Sequence, residues 1–341
     1  MTKINSKITY QMSLNENMLG PSALSLSAIQ KVINNVNHYG ELSIKKFQSA
    51  LARHFSNQLT ADQFIIANSG VELLDMLSRL FLTQGKEAIM CSPTFLLYKK
   101  FTLRESASLV DVPLDNNYQI DVKAVLDAVN ENTSVLFICN PNNPTGSFFS
   151  KNVMDELLLN LPNHVTVIYD EVYHDFCEQA PFPFAYDYIE HDLQIIGMRS
   201  FSKAYGLAGL RLGYGYASKA LATKINQSID RPYLINSLSM AAGLAALEDA
   251  EHLANTKAMV REGKQFIYTE FDKLNISYHK SEGNFIFFKT ELDHRKVIEF
   301  LAINGIAIQT MTAYDAPGYL RVTIGTKQAN EAFISALSSL L

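Results

Sequence analysis

A chain of 341 residues, 48% hydrophobic and 18% charged, is long enough to bury a sizeable core and to form more than one domain. Its net charge of -5 gives no electrostatic case for nucleic acid or an anionic membrane, and no apolar run approaches bilayer length. Cys91, Cys139 and Cys177 show no CxxC spacing, the histidines show no HxxxH or His/Cys grouping, and Met1 to Asn17 has no continuous apolar segment, so the expectation is a soluble cytoplasmic protein with neither disulfide scaffold nor metal site.

In chain order, turn chemistry in Asn15-Glu-Asn-Met-Leu-Gly-Pro-Ser22 precedes a helical pattern from Ala23 to Asn35. After His38-Tyr39-Gly40-Glu41, Ile44, Phe47, Leu51 and Phe55 fall on one helical face. Phe64–Ala67 reads as a strand that breaks at Asn68-Ser69-Gly70 and launches a helix from Val71 to Leu82. Ala88–Cys91, Ser106–Val112, Ser134–Cys139, Val165–Tyr169, Leu193–Gly197 and Leu210–Ala217 read as further strands. Continuous apolar strands alternating with helices predict an α/β fold with a mainly parallel sheet covered on both faces. Helical stretches follow from Leu238 to Leu274. Strands are expected within Ile276–Lys289 and at Tyr319–Ile324, with helices at Asp293–Asn304 and Gln328–Leu340. The expected division is a large domain, residues 36–245, and a smaller α+β domain made of residues 1–35 and 246–341.

In parallel sheets, ligands bind at the C-terminal ends of strands. Ser69, Gly70, Phe95, Asn143, Asp170 and Lys203 all fall at such ends or just beyond them. A loop lysine is usually a solvated charge, but Lys203 lies between two buried strands, where desolvation lowers an amine's pKa and makes it nucleophilic toward carbonyls. Ser200 and Arg211 flank it at spacings suited to holding an anion. An amine that forms Schiff bases beside an anion cradle suggests pyridoxal phosphate. Asp170 ends an apolar strand, where an ionised carboxylate is costly unless it meets a cation such as a protonated pyridine nitrogen; the plainer reading is a helix N-cap. Asn140-Pro-Asn-Asn-Pro-Thr-Gly146 is either a simple loop or a ligand-facing turn, and Phe95 and Tyr98 are either core aromatics or ring-stacking ones.

Ser200-Phe-Ser-Lys203 with Arg211 eight residues on resembles the signature of fold-type-I pyridoxal-phosphate aminotransferases, and the likeness covers nearly the whole chain. It is nearest the histidinol-phosphate aminotransferase branch, through Asn15-Glu-Asn17 with Gly20-Pro-Ser22, Ser281-Glu-Gly-Asn-Phe285 and Leu320-Arg-Val-Thr-Ile-Gly-Thr326. The resemblance implies a mainly parallel seven-stranded sheet between helices in the large domain. It implies that Lys203 carries the cofactor, Asp170 faces the pyridine nitrogen, and Asn143 and Tyr173 reach the phenolic oxygen. Phe95 stacks on the ring, with Tyr98 as a second candidate. Ser69, Gly70, Val71, Ser200, Ser202 and Arg211 hold the phosphate. Arg321 grips the substrate's anionic group, Asn17 and Asn284 line the substrate side, and Tyr39 reaches the phosphate of a neighbouring subunit, so a homodimer is expected. The implied reaction moves an amino group between an L-amino acid, or a histidinol-phosphate-like amine, and a 2-oxo acid. A decarboxylase or oxidase on the same scaffold would keep every cofactor residue. A sensor protein or a non-catalytic carrier of the cofactor fits the chain less well. Two positions depart from the branch. Gln309 stands where it often has arginine, and Met18-Leu19 where Pro-aromatic is usual. Both point to neutral or aromatic amino acids rather than histidinol phosphate.

Overall fold

The computed structural model describes residues 8–39, 44–189, 193–228 and 235–341. Residues 1–7, and Gly40 and Glu41 of the His38–Glu41 segment, lie outside this set. The chain begins with β1 (Tyr10–Gln11), α1 (Ala23–Val32) and α2 (Ile44–His54). There follow β2 (Phe64–Ala67), α3 (Gly70–Phe81), β3 (Glu87–Met90), α4 (Leu97–Arg104), β4 (Ser108–Asp111), α5 (Val122–Ala128), β5 (Thr133–Cys139), α6 (Lys151–Leu158) and β6 (Thr166–Asp170). Then come β7 (Gln194–Ser200), β8 (Gly213–Ala217), α7 (Lys219–Ser228), α8 (Ser237–Glu248) and α9 (Ala250–Lys273). The chain closes with β9 (Ser277–His279), β10 (Phe285–Lys289), α10 (His294–Ile303), β11 (Ile306–Ala307), β12 (Gln309–Thr310), β13 (Tyr319–Thr323) and α11 (Lys327–Leu340).

Seven strands form one sheet in the order β2-β8-β7-β6-β5-β3-β4, in which β8 pairs antiparallel to both neighbours and the other pairings are parallel. The two-residue period of a strand separates its faces. Leu136, Ile138, Val167 and Tyr169 pack with α2, α6 and α8, while Val135, Phe137, Ile168 and Ile196 pack with α3, α4 and α7. The strands are therefore apolar throughout, the pattern expected of a doubly covered parallel sheet. A second, antiparallel sheet, β12-β13-β10-β9, has its own core of Phe285, Ile286, Phe288 and Val322 under α9, α10 and α11.

The N-terminal arm joins the two bodies. β1 pairs parallel with β11, and Met12 belongs to the core of the second sheet, whereas α1 packs on α8 and Ile29 against the core of the first. Other boundaries shift for local reasons. Asp249 caps α9 through its carboxylate on the His252 N–H and so divides the helical stretch 238–274. β8 starts at Gly213 rather than Leu210, because Ala208–Leu210 form a short 3-10 turn and Arg211 adopts φ +55°. The stretch 276–289 is two strands separated by a bend.

Gly213 pairs with Ala67 beside the turn into α3, and a Cβ there would press into the backbone of Ser69 and Gly70. Backbone cannot swing aside as a flexible side chain can. Gly213→Ala is expected to cost about 1–3 kcal/mol of stability, read as a lower Tm in a thermal melt.

Candidate active site

The C-terminal ends of β5, β6 and β7, the first turn of α3 and the arm enclose a cavity of about 390 Å³. Ser69, Gly70, Val71, Phe95, Asn143, Asp170, Tyr173, Ser200, Ser202, Lys203, Arg211 and Arg321 all line it. Four residues singled out from the sequence do not: Tyr98, taken up below, and Asn17, Asn284 and Tyr39. Asn17 turns its amide to the Ala204 carbonyl (3.0 Å) and the Thr256 hydroxyl (2.9 Å), tethering the arm beside an adjoining cavity. Asn284 is buried behind the wall, where its amide donates to the Asn15 carbonyl at 3.1 Å. Tyr39 is 78% exposed, at the end of the segment that follows α1.

Four polar side chains of the cavity have an acceptor already engaged by the protein. Ser69 caps α3 by accepting from the Glu72 N–H at 3.1 Å, and Ser200 Oγ accepts from the Ser202 N–H at 3.1 Å. The Tyr173 hydroxyl accepts from the Asn15 amide at 3.0 Å, and Asn143 Oδ1 accepts from an Arg321 guanidinium N–H. What these groups still offer is an O–H or N–H to donate. The N–H groups of Gly70 and Val71 head α3, where no intrahelical acceptor exists and the helix dipole is positive. Arg211, turned back by its left-handed backbone, adds a cation that also donates to the Ala208 carbonyl at 2.8 Å. The arrangement suits an anionic, oxygen-rich ligand.

Asp170 is the exception in sign. It is buried, and its carboxylate accepts from the Tyr98 hydroxyl at 2.9 Å and the Val172 N–H at 3.1 Å. Burial raises its pKa to about 6, against the lowering effect of those two bonds. Tyr98 is thus not a ring-stacking wall of the cavity; it lies behind Asp170, stacked on Phe137 with centroids 4.8 Å apart, and Phe95 alone of the two reaches the cavity. The i, i+3 spacing of Phe95 and Tyr98 was visible in the sequence, but the partner of the Tyr98 hydroxyl was not.

Lys203 lies across the cavity, its amine donating to the Leu14 carbonyl at 2.8 Å. Desolvation, with help from Arg321, lowers its pKa to about 7. Arg321 is buried between the rings of Phe285 and Tyr314, with its guanidinium carbon 5.3 and 5.5 Å from their centres. It donates to the Ser13 carbonyl at 3.0 Å, and its Nε has no partner among the described residues. Leu14, Asn15, Glu16 and Tyr314 also line the cavity, and sequence reasoning did not assign them there. The Asn15-Glu16 pair lay inside a segment already noted, so proximity to that motif was the available signal.

The lowered amine pKa has a measurable consequence. In cofactor-free protein, covalent labelling of Lys203 by an aldehyde reagent with reductive trapping is expected to rise with pH around a midpoint of about 7, whereas an ordinary lysine titrates near about 10.4. Peptide mapping across pH reads this directly; a midpoint near that of exposed lysines would contradict the desolvation argument.

Comparison with known proteins agrees with this geometry. The family model "Aminotransferase class I and II" matches residues 10–337. Histidinol-phosphate aminotransferase 2 of Carboxydothermus hydrogenoformans is 33% identical over 332 residues, covering 97% of this chain and 91% of that protein. The histidinol-phosphate aminotransferase of Moorella thermoacetica is 33% identical over 340 residues, covering 99% and 87%. Among solved structures, histidinol-phosphate aminotransferase from Sinorhizobium meliloti in complex with pyridoxal-5'-phosphate superposes with a TM-score of 0.89 at 24% identity, covering 99% of this chain and 93% of that one. Aspartate aminotransferase from Thermus thermophilus with maleate gives 0.86 at 19%, covering 98% and 92%. Those two structures speak to the fold, which is that of the fold-type-I aminotransferases. The chain belongs to the class I and II aminotransferase family.

Proposed function

We propose that the cavity holds pyridoxal phosphate and that Lys203 works on an L-amino acid bound between it and Arg321. As a member of its family the chain is a pyridoxal-phosphate-dependent aminotransferase. The relatives' names favour transamination over decarboxylation or oxidation. The observation that carries the reading is the pairing of a cavity-facing ring of donors with one buried carboxylate, Asp170, whose hydrogen bonds come from neutral groups, the Tyr98 hydroxyl and the Val172 N–H.

The residues fit the cofactor group by group. Ser69, Ser200, Ser202, Arg211 and the N–H groups of Gly70 and Val71 would hold its phosphate. Asn143 and Tyr173 would donate to its phenolic oxygen, Phe95 would cover its ring, and Asp170 would face its protonated nitrogen. Bound there, pyridoxal phosphate supplies an aldehyde for amines and an electron sink for the carbanion at the substrate's Cα. Lys203 Nζ, with its pKa lowered to about 7 and so unprotonated in a large fraction of molecules at neutral pH, takes the Cα proton as general base and later returns it as general acid. Arg321, held rigid between two rings and with Nε still to pair, orients the substrate's carboxylate.

For the substrate, Gln309 matters. It pairs directly opposite Arg321 across β12 and β13, so the two side chains share a sheet face. A glutamine there adds no second cation for a phosphate group. The donors we propose are therefore neutral or aromatic L-amino acids, with a 2-oxo acid as acceptor, although the relatives are named for histidinol phosphate. Exposed Leu24, Leu26, Ile33 and Val36 run along α1 and the segment after it toward Tyr39, which supports a homodimer with Tyr39 reaching a partner's phosphate site. We propose the division into residues 36–245 and residues 1–35 with 246–341, amended in that α1, packed on α8 and the first core, goes with the large domain. Among the described residues no helix is long and apolar enough to cross a membrane, and three free cysteines fit a cytoplasmic setting.

Two experiments test this reading. Purified protein reconstituted with pyridoxal phosphate should show a visible absorbance band that Lys203→Ala abolishes, with transamination falling by about 10²–10⁴-fold or more. Amino acids that serve as donors should bleach the band, and the absence of any band in wild-type protein would end the proposal. In the second, Gln309→Arg should raise kcat/KM for histidinol phosphate relative to phenylalanine by about tenfold or more, the scale of one charged hydrogen bond. A wild-type enzyme that already prefers histidinol phosphate would show that Gln309 does not decide the substrate.

A further inference from the structure

Behind the cavity floor lies a buried ion pair that the reaction itself does not use. Glu171 is fully buried and follows Asp170; Arg199 is buried and precedes Ser200. Strand alternation turns Asp170 and Ser200 toward the cavity and Glu171 and Arg199 toward the opposite face. Glu171 Oε2 accepts from Arg199 Nε at 2.8 Å and from the Tyr216 hydroxyl at 2.6 Å, while Oε1 accepts from the Ala185 N–H at 2.7 Å. The guanidinium carbon of Arg199 sits 4.5, 5.1 and 5.5 Å from the ring centres of Phe55, Phe184 and Tyr216. The Glu171 N–H donates to the Met198 carbonyl at 2.9 Å, extending the β6–β7 ladder by one rung before the chain turns away.

Stability alone does not call for charge at this place. Burying two ions costs several kcal/mol, and well-packed apolar side chains of similar volume hold strands together as well or better. Fixed hydrogen-bond directions are what the pair adds. β7, β8 and the Ala185 turn each send one donor to a single carboxylate carried just past the end of β6. We propose that Glu171 and Arg199 are a positioning pair: by clamping β6 to β7 directly behind Asp170 and Ser200, they set the spacing between the carboxylate that faces the cofactor's ring nitrogen and a hydroxyl that faces its phosphate. The inference rests on the functional reading above, which places one ligand across both residues.

The test separates position from stability. Cofactor-free Glu171→Gln, Arg199→Met, the milder Tyr216→Phe and the double variant Glu171→Leu with Arg199→Met are compared with wild type. Tm is taken by circular dichroism, and the Kd for pyridoxal phosphate by equilibrium dialysis well below each Tm, together with the wavelength of the bound cofactor's visible band. The double variant is expected to regain much of the Tm lost by the single variants. It is nevertheless expected to bind pyridoxal phosphate about tenfold more weakly than wild type, the scale at which groups behind a ligand-holding residue act, with a displaced band. Tyr216→Phe should show the same displacement at smaller amplitude. Affinity and band that return to wild type whenever Tm does, or that never change, would overturn the positioning role. Asp170→Asn and Ser200→Ala are the controls: if both bind the cofactor as wild type does, the functional reading fails at these residues and the inference falls with it.

Discussion

A buried carboxylate hydrogen-bonded by neutral groups sets the terms for the rest of this structure. Asp170 ends β6 beneath a cavity, and the bonds it accepts come from the Tyr98 hydroxyl and the Val172 N–H. Neither neutralises charge, and burial raises the pKa to about 6. A raised carboxyl pKa contributes stability that is full below its unfolded value and is lost as pH rises through about 6. At neutral pH the empty-handed carboxylate is therefore a cost to the fold. A cation delivered into the cavity reverses that sign, converting the cost into binding energy. The fold keeps an expensive group at the place proposed for the cofactor's protonated nitrogen.

The donors around the cavity obey the complementary rule. Ser69, Ser200, Tyr173 and Asn143 have each spent an acceptor on the protein behind them, through Glu72, Ser202, Asn15 and Arg321 respectively. Their remaining hydrogens have one direction left. Preorganisation of this kind avoids reorganisation when charge arrives, which is where electrostatic stabilisation has its effect. It also explains why Asn15, with φ +55° and buried, belongs to the site: its amide fixes the Tyr173 hydroxyl, and its carbonyl receives the Asn284 amide.

Much of this was legible in the chain, for identifiable reasons. Apolar strands alternating with helices read as a doubly covered parallel sheet because strand period and burial leave direct marks in the sequence, and the residues at strand ends converge because parallel strands end on one side. What was not legible depends on contacts distant in sequence. Tyr98 stood as a second candidate behind Phe95, with the core as the alternative, because spacing does not reveal that its hydroxyl meets Asp170, 72 residues away. Asn17 looked like a substrate contact because its motif does; its amide is instead committed to Ala204 and Thr256. The arm was assigned whole to one body, whereas β1 pairs with β11 and α1 packs on α8. Short strands of two residues carry no periodicity to detect.

The arm links these observations to turnover. Lys203 and Arg321, the two cations proposed to act on substrate, both donate to consecutive arm carbonyls, Leu14 and Ser13. The Ser13 carbonyl occupies an Arg321 donor that a substrate's carboxylate would otherwise engage. A substrate carboxylate offers Arg321 a charged acceptor, which is roughly twice as strong as a neutral carbonyl, and it can also pair the idle Nε. In the proposed function a substrate carboxylate would therefore take Arg321 by exchange, without exposing a buried charge. The arm is tied to the second sheet through Thr323, which receives the Asn15 N–H at 2.9 Å and donates its own N–H to the Met12 carbonyl at 2.8 Å. Any shift of the arm that accompanies the exchange is carried to β13, the strand that bears Arg321 itself.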